Sequence, residues 1–297
     1  MTADVATTIF ESERKRLTML AYRMLGRWSE AEDAVQDGYL RWQAADRSAI
    51  RVPGAWLTTT VVRLCLDRMR KAKASREVYV GPWLPEPVLT PEGGEREMSP
   101  DTTSFAQDLS MGLMLVLERL GPEERAAFIL REAFDSSYAE IAAALGKNEA
   151  AVRQLVSRAR DRVKGERKRY TAAPGAHEQL MARLLSAIEA RDATALASLL
   201  TKDASFTSDA GGKRPAALRT VTGAEEVANL LLHLTSTGGG AREMQPMNLN
   251  GSTGLWLVDR RGFESVVQIE LDGDHVAAIY VVRNPDKLAH LRDVVVH

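Results

Sequence analysis

The segment SYAEIAAALGKNEAAVRQLVSRARDRV, Ser137 to Val163, places Arg153 and Gln154 side by side near the start of a helical stretch. Arginine and glutamine are the side chains that form bidentate hydrogen bonds to base edges in a major groove. The surrounding residues predict a frame that could hold them. Ser137 followed by Glu140 predicts a capping box and therefore a helix start. Tyr138, Ile141, Ala142 and Leu145 recur at i, i+3, i+4 and i+7 and give that helix one apolar face. Gly146 can take the left-handed conformation that ends a helix, and Asn148 can cap the next one. In the second helix Val152, Leu155, Val156, Ala159 and Val163 form the stripe to be buried. Arg153, Gln154, Ser157, Arg160 and Asp161 point away from it, and Arg158 flanks it. Two helices around a tight turn with Arg and Gln early in the second are what a helix-turn-helix reader of DNA requires. A solvated charged helix in an all-α bundle shows the same periodicity, so these residues alone leave both readings open.

A second constellation lies near the N-terminus. Ser29 and Glu32 predict another capping box. Ala31, Ala34, Val35, Gly38 and Trp42 share one face of the helix, while Asp33, Gln36 and Asp37 form a polar stripe on another. Such a stripe is ordinarily a solvated face. RSAIRVPGAW then predicts a loop around Pro53-Gly54. The helix after it, Ala55 to Ala74, carries Arg63, Arg68, Arg70, Lys71 and Lys73. Trp56 at its start reads as a core anchor.

These elements sit in a chain of 297 residues, 45% hydrophobic and 27% charged, a globular composition long enough for two or three domains. The net charge is −1, so a global basic excess is absent. Locally there are two basic islands, Arg63 to Arg76 and Arg153 to Arg169, joined by the mostly acidic stretch Glu77 to Asp108. Cys65 is the single cysteine, which excludes an internal disulfide and a cysteine zinc site. No metal, cofactor or catalytic constellation is read. The N-terminus lacks a basic segment followed by an apolar one, and no apolar run could cross a bilayer, which predicts a cytoplasmic protein with no membrane partner.

The texture divides the chain into four parts: helical residues 1–80, a linker 81–108, helical residues 109–172, and a mixed part from 175 to 297. In the linker Pro82, Pro85, Pro87, Pro91 and Pro100 exclude a helix. The last part opens with helices, the first of them with Leu180, Leu184, Ala187 and Ile188 on one face, and a further helix is predicted from Ala224 to Leu234. Strands are predicted over Gly254 to Asp259, Glu264 to Leu271 and His275 to Val282, with Asp272-Gly273 as a hairpin signal, which makes this part α+β.

Taken together, AYRMLGRWSEAEDAVQDGYLRW and PGAWLTTTVVRLCLDRMRK resemble region 2 of the extracytoplasmic-function group of the sigma-70 family. LERLGPEERAAFILREAFDSSYAEIAAALGKNEAAVRQLVSRARDRV resembles region 4, and the order and spacing of the blocks match. The resemblance implies a transcription initiation factor, not an enzyme, that binds core RNA polymerase and promoter DNA. Asp33, Gln36 and Asp37 would meet the clamp helices of the β′ subunit. Arg51, Arg63, Asp67, Arg70 and Lys71 would read and open the −10 element. A base would flip into a pocket of the loop at about Asp46 to Pro53, at a few kcal/mol offset by contacts to the extruded base. Arg153, Gln154, Ser157 and Arg158 would read the −35 element, with the other face of region 4 on the β flap.

GPWLPEPV, SDAGGKRPAALRTVTGAEEVANLL and NPDKL resemble three motifs of the subgroup that carries a C-terminal SnoaL-like, NTF2-like domain, with fewer glycines and acidic residues in the second than the subgroup pattern. The implied architecture is two all-α sigma domains followed by an α+β cone. The implied role of the cone is regulation in cis, through contacts involving Trp83, Leu84, Pro85, Glu86 and Pro87 of the linker and Asp209, Lys213, Asn284, Pro285, Asp286 and Lys287 of the C-terminal part. Trp83 and Leu84 are large apolar residues on a proline-stiffened segment and are expected to dock on a domain. Two other classes stay open. One is a conventional helix-turn-helix regulator that binds DNA without polymerase. The other is a pocket enzyme of the ketosteroid-isomerase type fused to a DNA-binding region, with Asp209 as base and Tyr280, His233 or His275 as donors.

Overall fold

The computed structural model describes residues 3–76, 79–90, 109–166, 175–236 and 240–295. The part of the linker beyond Thr90 and the basic residues after Glu166 lie outside them. The described residues fall into two compact units. The first takes residues up to 76 and 113–166; the second takes 79–90, 109–112 and everything from 175 onward.

The first unit is helical throughout. Helices α1 (Ala3–Leu25), α2 (Trp28–Ala44) and α3 (Pro53–Arg76) bury Phe10, Leu17, Leu20, Tyr22, Trp42, Leu57 and Val61 completely. Trp42 lies 5.5 Å from the Trp56 ring, and its indole N–H donates to the Ala6 carbonyl at 2.9 Å, satisfying the one polar atom it takes into the core. Trp56 is thus a packing residue. The start of α2 departs from expectation. The helix begins at Trp28 after the extended residue Arg27, with no side-chain cap, and Ser29 lies inside its first turn. Trp28 packs edge-on to Tyr22 at 5.8 Å, an aromatic contact that the capping-box reading left out. Cys65 is buried on α3, and burial pushes its thiol up to about 12, so it behaves as an inert hydrophobe.

Helices α4 (Met111–Glu118), α5 (Pro122–Ala133), α6 (Tyr138–Leu145) and α7 (Glu149–Glu166) follow. The helix-turn-helix is built as its residues predict. Ser137 Oγ accepts from the Glu140 N–H at 3.2 Å, and the Ser137 N–H donates to the Glu140 carboxylate at 2.8 Å. These bonds hold the Glu140 carboxyl below its usual range. Gly146 ends α6 at φ +65°, where a side chain would be strained. Asn148 Oδ1 accepts from Ala151 N at 2.8 Å and starts α7. Val152, Leu155, Val156, Ala159 and Val163 are buried.

The second unit is a six-stranded sheet with strand order β2-β1-β6-β5-β4-β3. Its strands are β1 (Leu200–Asp209), β2 (Val221–Thr222), β3 (Ala241–Leu249), β4 (Ser252–Asp259), β5 (Glu264–Asp272) and β6 (His275–Val282). Only the β1–β6 pair is parallel. Register shifts in β1, β3 and β5 bend the strands. Helices α8 (Ala176–Glu189), α9 (Ala193–Ser198) and α10 (Ala224–Leu234) bury Leu184, Leu196, Val227 and Leu231 against Phe206, Ile269, Val276 and Ile279 of the sheet. Helix α11 (Pro285–Val295) closes the chain. The last hairpin turns through Gly273 and Asp274, one residue later than its Asp-Gly signal suggests.

Candidate functional site

Three surfaces carry the residues singled out above. On α2, Asp33 is 75% exposed and Asp37 48% exposed. Asp37 pairs with Arg68 of α3 at 2.6 Å, and Arg14 of α1 donates weakly to Gln36 at 3.5 Å. The acidic stripe is therefore presented on one accessible face and is partly neutralised by its own bundle. Between α2 and α3, residues Arg47–Ala49 form a 3₁₀ turn capped by Asp46, whose carboxyl is held low by hydrogen bonds from the Ser48 hydroxyl and N–H. A cleft of about 140 Å³ lined by Ala6, Thr7, Tyr39, Trp42, Gln43 and Arg47 opens beside this turn.

On α7, Arg153, Gln154 and Ser157 are exposed together. Arg153 is tied to Glu149 one turn earlier at 2.7 Å. Arg158 is exposed but leans towards α5, pairing with Glu124 at 3.3 Å. Arg160 reaches Glu132 at 2.6 Å, a pairing that keeps its guanidinium charged.

The −10 candidates are placed differently. Arg51 and Lys71 are exposed, but Arg63 donates to the carbonyls of Ala143 (3.0 Å) and Ala144 (3.2 Å) at the C-terminal end of α6. A cation there also meets the negative end of the helix dipole. Arg70 lies between Asp67 and Glu123, 3.4 Å from each. Arg63, Leu66, Asp67 and Arg70 face Ala144, Leu145 and Gly146 across a cleft of about 210 Å³. The reciprocal contact comes from α5: Arg125, 1% exposed, donates to the Arg23 carbonyl near the end of α1 at 2.8 Å and pairs with Glu118. In this arrangement Arg63 and Arg70 stay exposed to solvent but are engaged by α6 and by Glu123 of α5.

The third surface lies in the second unit. Asp209, at the end of β1, is fully buried. Its carboxylate accepts from the Tyr79 hydroxyl (2.5 Å), the Leu84 N–H (2.7 Å) and Lys287 Nζ (2.7 Å). Lys287, 1% exposed, also donates to the Leu84 carbonyl and stands 4.2 Å from the centre of the Trp83 ring, a cation–π contact. Asn284 caps α11 by accepting from the Asp286 N–H at 3.1 Å and donates to Tyr79 at 2.9 Å. Lys213 pairs with Asp286 at the rim. Leu84, Pro85, Glu86 and Pro87 are all buried. Pro285 is the first residue of α11, where a missing N–H costs nothing. Gly211 has φ +56°, and a Cβ there would fall 2.5 Å from Asn284 Nδ2 and 2.9 Å from the Tyr79 hydroxyl, so only glycine fits.

Sequence reasoning missed how far this grip extends. Val88 and Asn250 exchange hydrogen bonds at 3.1 and 2.8 Å, Thr90 N donates to Asn248 O at 3.0 Å, and His290 meets the Pro87 carbonyl at 2.8 Å. Asn250 Nδ2 also donates to the Leu109 carbonyl, and Glu270 accepts from the Gly112 N–H at 2.6 Å. The described start of the linker and the residues that follow its end, Leu109 and Gly112, are thus held by one unit. A signal was available: Asn250-Gly251, with φ +53° and +82°, is an Asn-Gly hairpin turn. As a catalytic base Asp209 is poorly placed, because three donors already engage its oxygens. Tyr280 donates to Glu270 at 3.3 Å, and His275 is exposed at the start of β6. Among the described residues no cluster could hold a metal ion, and no helix is long and apolar enough to cross a membrane.

Comparison with known proteins identifies the two helical regions. Residues 9–75 match the family Sigma-70 region 2, and residues 110–163 match Sigma-70, region 4. The chain belongs to the extracytoplasmic-function (ECF) group of the sigma-70 family, whose members bind core RNA polymerase and promoter DNA to initiate transcription. It is 38% identical to the ECF RNA polymerase sigma factor SigJ of Mycobacterium tuberculosis over 290 residues, covering 94% of this chain and 91% of that protein. It is 27% identical over 293 residues to the probable ECF sigma factor SigI of the same species, covering 97% of each. The crystal structure of M. tuberculosis SigJ superposes with a TM-score of 0.76 at 35% identity, over 95% of this chain and 98% of that one, so the likeness includes the C-terminal helix-and-sheet domain.

Proposed function

We propose that this sigma factor is controlled in cis by its C-terminal domain, which grips the linker joining its two DNA-reading regions. The observation that carries the reading is the buried set Asp209, Lys287 and Leu84, with the half-buried Trp83 ring against the lysine. A lysine and an aspartate are taken fully out of water to hold one stretch of linker backbone, and such a pair is retained more readily for specificity than for stability. In this reading residues 1–80 and 109–172 are the two readers, 81–108 the connection and 175–297 the regulator.

Asp33, Gln36 and Asp37 dock on the β′ clamp helices, supported by their exposure on one face of α2. Arg153, Gln154 and Ser157, with Arg158 at the margin, read the −35 element in a major groove. Arg51, Arg63, Asp67, Arg70 and Lys71 act at the −10 element once Arg63 and Arg70 are released from α6 and Glu123, and the far face of region 4 meets the β flap. The protein works in the cytoplasm, where the chromosome is. Two readers on one connection bind cooperatively only if the connection spans the two DNA elements, so holding its ends sets how often both engage.

Loosening the grip tests this. Trp83→Ala removes the nearer of the two rings that Lys287 meets, a contact worth about 1 kcal/mol, which shifts a two-state population about fivefold. We expect transcription in vitro with core polymerase to rise by up to that factor relative to the parent. Activity and compactness equal to the parent would count against control through the linker.

A further inference from the structure

We propose that Tyr138 is a positioning residue for promoter recognition: its ring holds the Arg153 guanidinium in the orientation that reads a −35 base. The inference rests on the reading of Arg153 as a −35 contact. Tyr138 is the first residue of α6, directly after the Ser137 cap, and is only partly buried, so it is not a core residue by default. The Arg153 guanidinium carbon lies 4.9 Å from the ring centroid. That of Arg131, anchored to the Ser136 carbonyl at 3.0 Å, lies 5.2 Å from it. One ring at the start of the first helix thus faces one arginine from α5 and one from α7.

The physical need is entropic. An arginine has about 2 kcal/mol of rotamer freedom, and a bidentate contact to a base requires one arrangement of its planar fork. Glu149 alone fixes one side of the guanidinium, through an exposed i,i+4 pair that contributes little. A π face presented from the neighbouring helix adds a second, non-collinear restraint, and the two together select a rotamer before DNA arrives. The capping box that starts α6 gains a role in this account: it fixes the backbone from which the ring projects.

The test is competition binding by the full chain in complex with core polymerase. The probes are duplexes selected from a random pool by the parent complex and the same duplexes substituted across the −35 element. The quantity read is the ratio of the two affinities. Arg153→Ala should lower that ratio about tenfold or more. Tyr138→Leu, which keeps apolar bulk but has no π face, should lower it about two- to fivefold, while Tyr138→Phe stays near the parent. Tyr138→Leu combined with Arg153→Ala should be no worse than Arg153→Ala alone, because both act through one guanidinium. A merely structural tyrosine would lower the unfolding temperature and both affinities together and leave the ratio unmoved. An unchanged ratio in Tyr138→Leu beside a collapsed ratio in Arg153→Ala would overturn the inference, as would fully additive effects. An unchanged ratio in Arg153→Ala would remove the underlying reading of α7, and the inference with it.

Discussion

Lys287→Met should destabilise the C-terminal unit by about 3–5 kcal/mol and release the linker at Trp83 and Leu84. The substitution keeps most of the side-chain volume and removes the charge. Asp209 then keeps the Tyr79 and Leu84 donors but faces them as a fully buried carboxylate without its cation. Losing one partner of a buried ion pair costs far more than the pair contributes as a whole, because the remaining charge stays desolvated. For a unit of this size the loss corresponds to roughly 10 °C in the unfolding temperature of that unit. Adding Asp209→Asn should restore part of it, since no uncompensated charge then remains, and the departure from additivity measures the coupling. Thermal unfolding and limited proteolysis between Gly81 and Thr90 are the readouts. Unchanged unfolding in Lys287→Met would mean that the pair is hydrated in solution and that the linker is held by other contacts.

Arg125→Met should have a comparable effect on the helical unit, about 3 kcal/mol or more. Arg125 enters the contact between α5 and α1 almost without exposure, pairs with Glu118 and donates to the Arg23 carbonyl. Methionine fills a similar volume but leaves that carbonyl without this donor and Glu118 without this cation. Further contacts between region 4 and region 2 include Arg63 on the α6 carbonyls, Arg70 and Glu123 at 3.4 Å, and Arg16 and Arg23 each 5.8 Å from the centre of the Phe134 ring. Amide exchange across α5 and α6 and along the Arg63 face of α3 should therefore accelerate in the variant. Exchange that accelerated at α5 alone would show that Arg125 supports its own helix and not the packing of the two readers.

The helix-turn-helix was legible because everything that defines it is local: a cap and its partner three residues apart, a glycine at the turn, and an apolar stripe at helical spacing. The same holds for α10 and for β4 to β6, where alternation and flanking turns act within a few residues. Strand β1 was not legible. LTKDASFTSD is polar by composition, and it becomes a central strand only because β6, over seventy residues later, pairs with it in parallel. Strand β3 carries Pro246 and is exposed along its first six residues, the character of an edge strand, which periodicity reads as loop.

The candidate sites divide the same way. The linker motif, Asp209 and the Asn284–Lys287 segment stood out by resemblance, but their convergence spans separations of more than 75 residues that no local pattern encodes. Tyr79 and His290 join that site through side chains that nothing in their neighbourhood marks. Arg63 shows a limit of another kind: the sequence displays its charge, and only the fold reveals that the charge is engaged by the end of α6.

We propose that this chain works by docking the α2 face on RNA polymerase. The direct measurement is transcription in vitro with core polymerase on promoters selected by the parent protein, comparing the parent with Asp33→Ala/Asp37→Ala at equal unfolding temperature. The parent should initiate at defined sites, and the double variant should lose at least about tenfold of that activity, as expected for residues at the centre of an interface. Undiminished initiation by a folded double variant would contradict it.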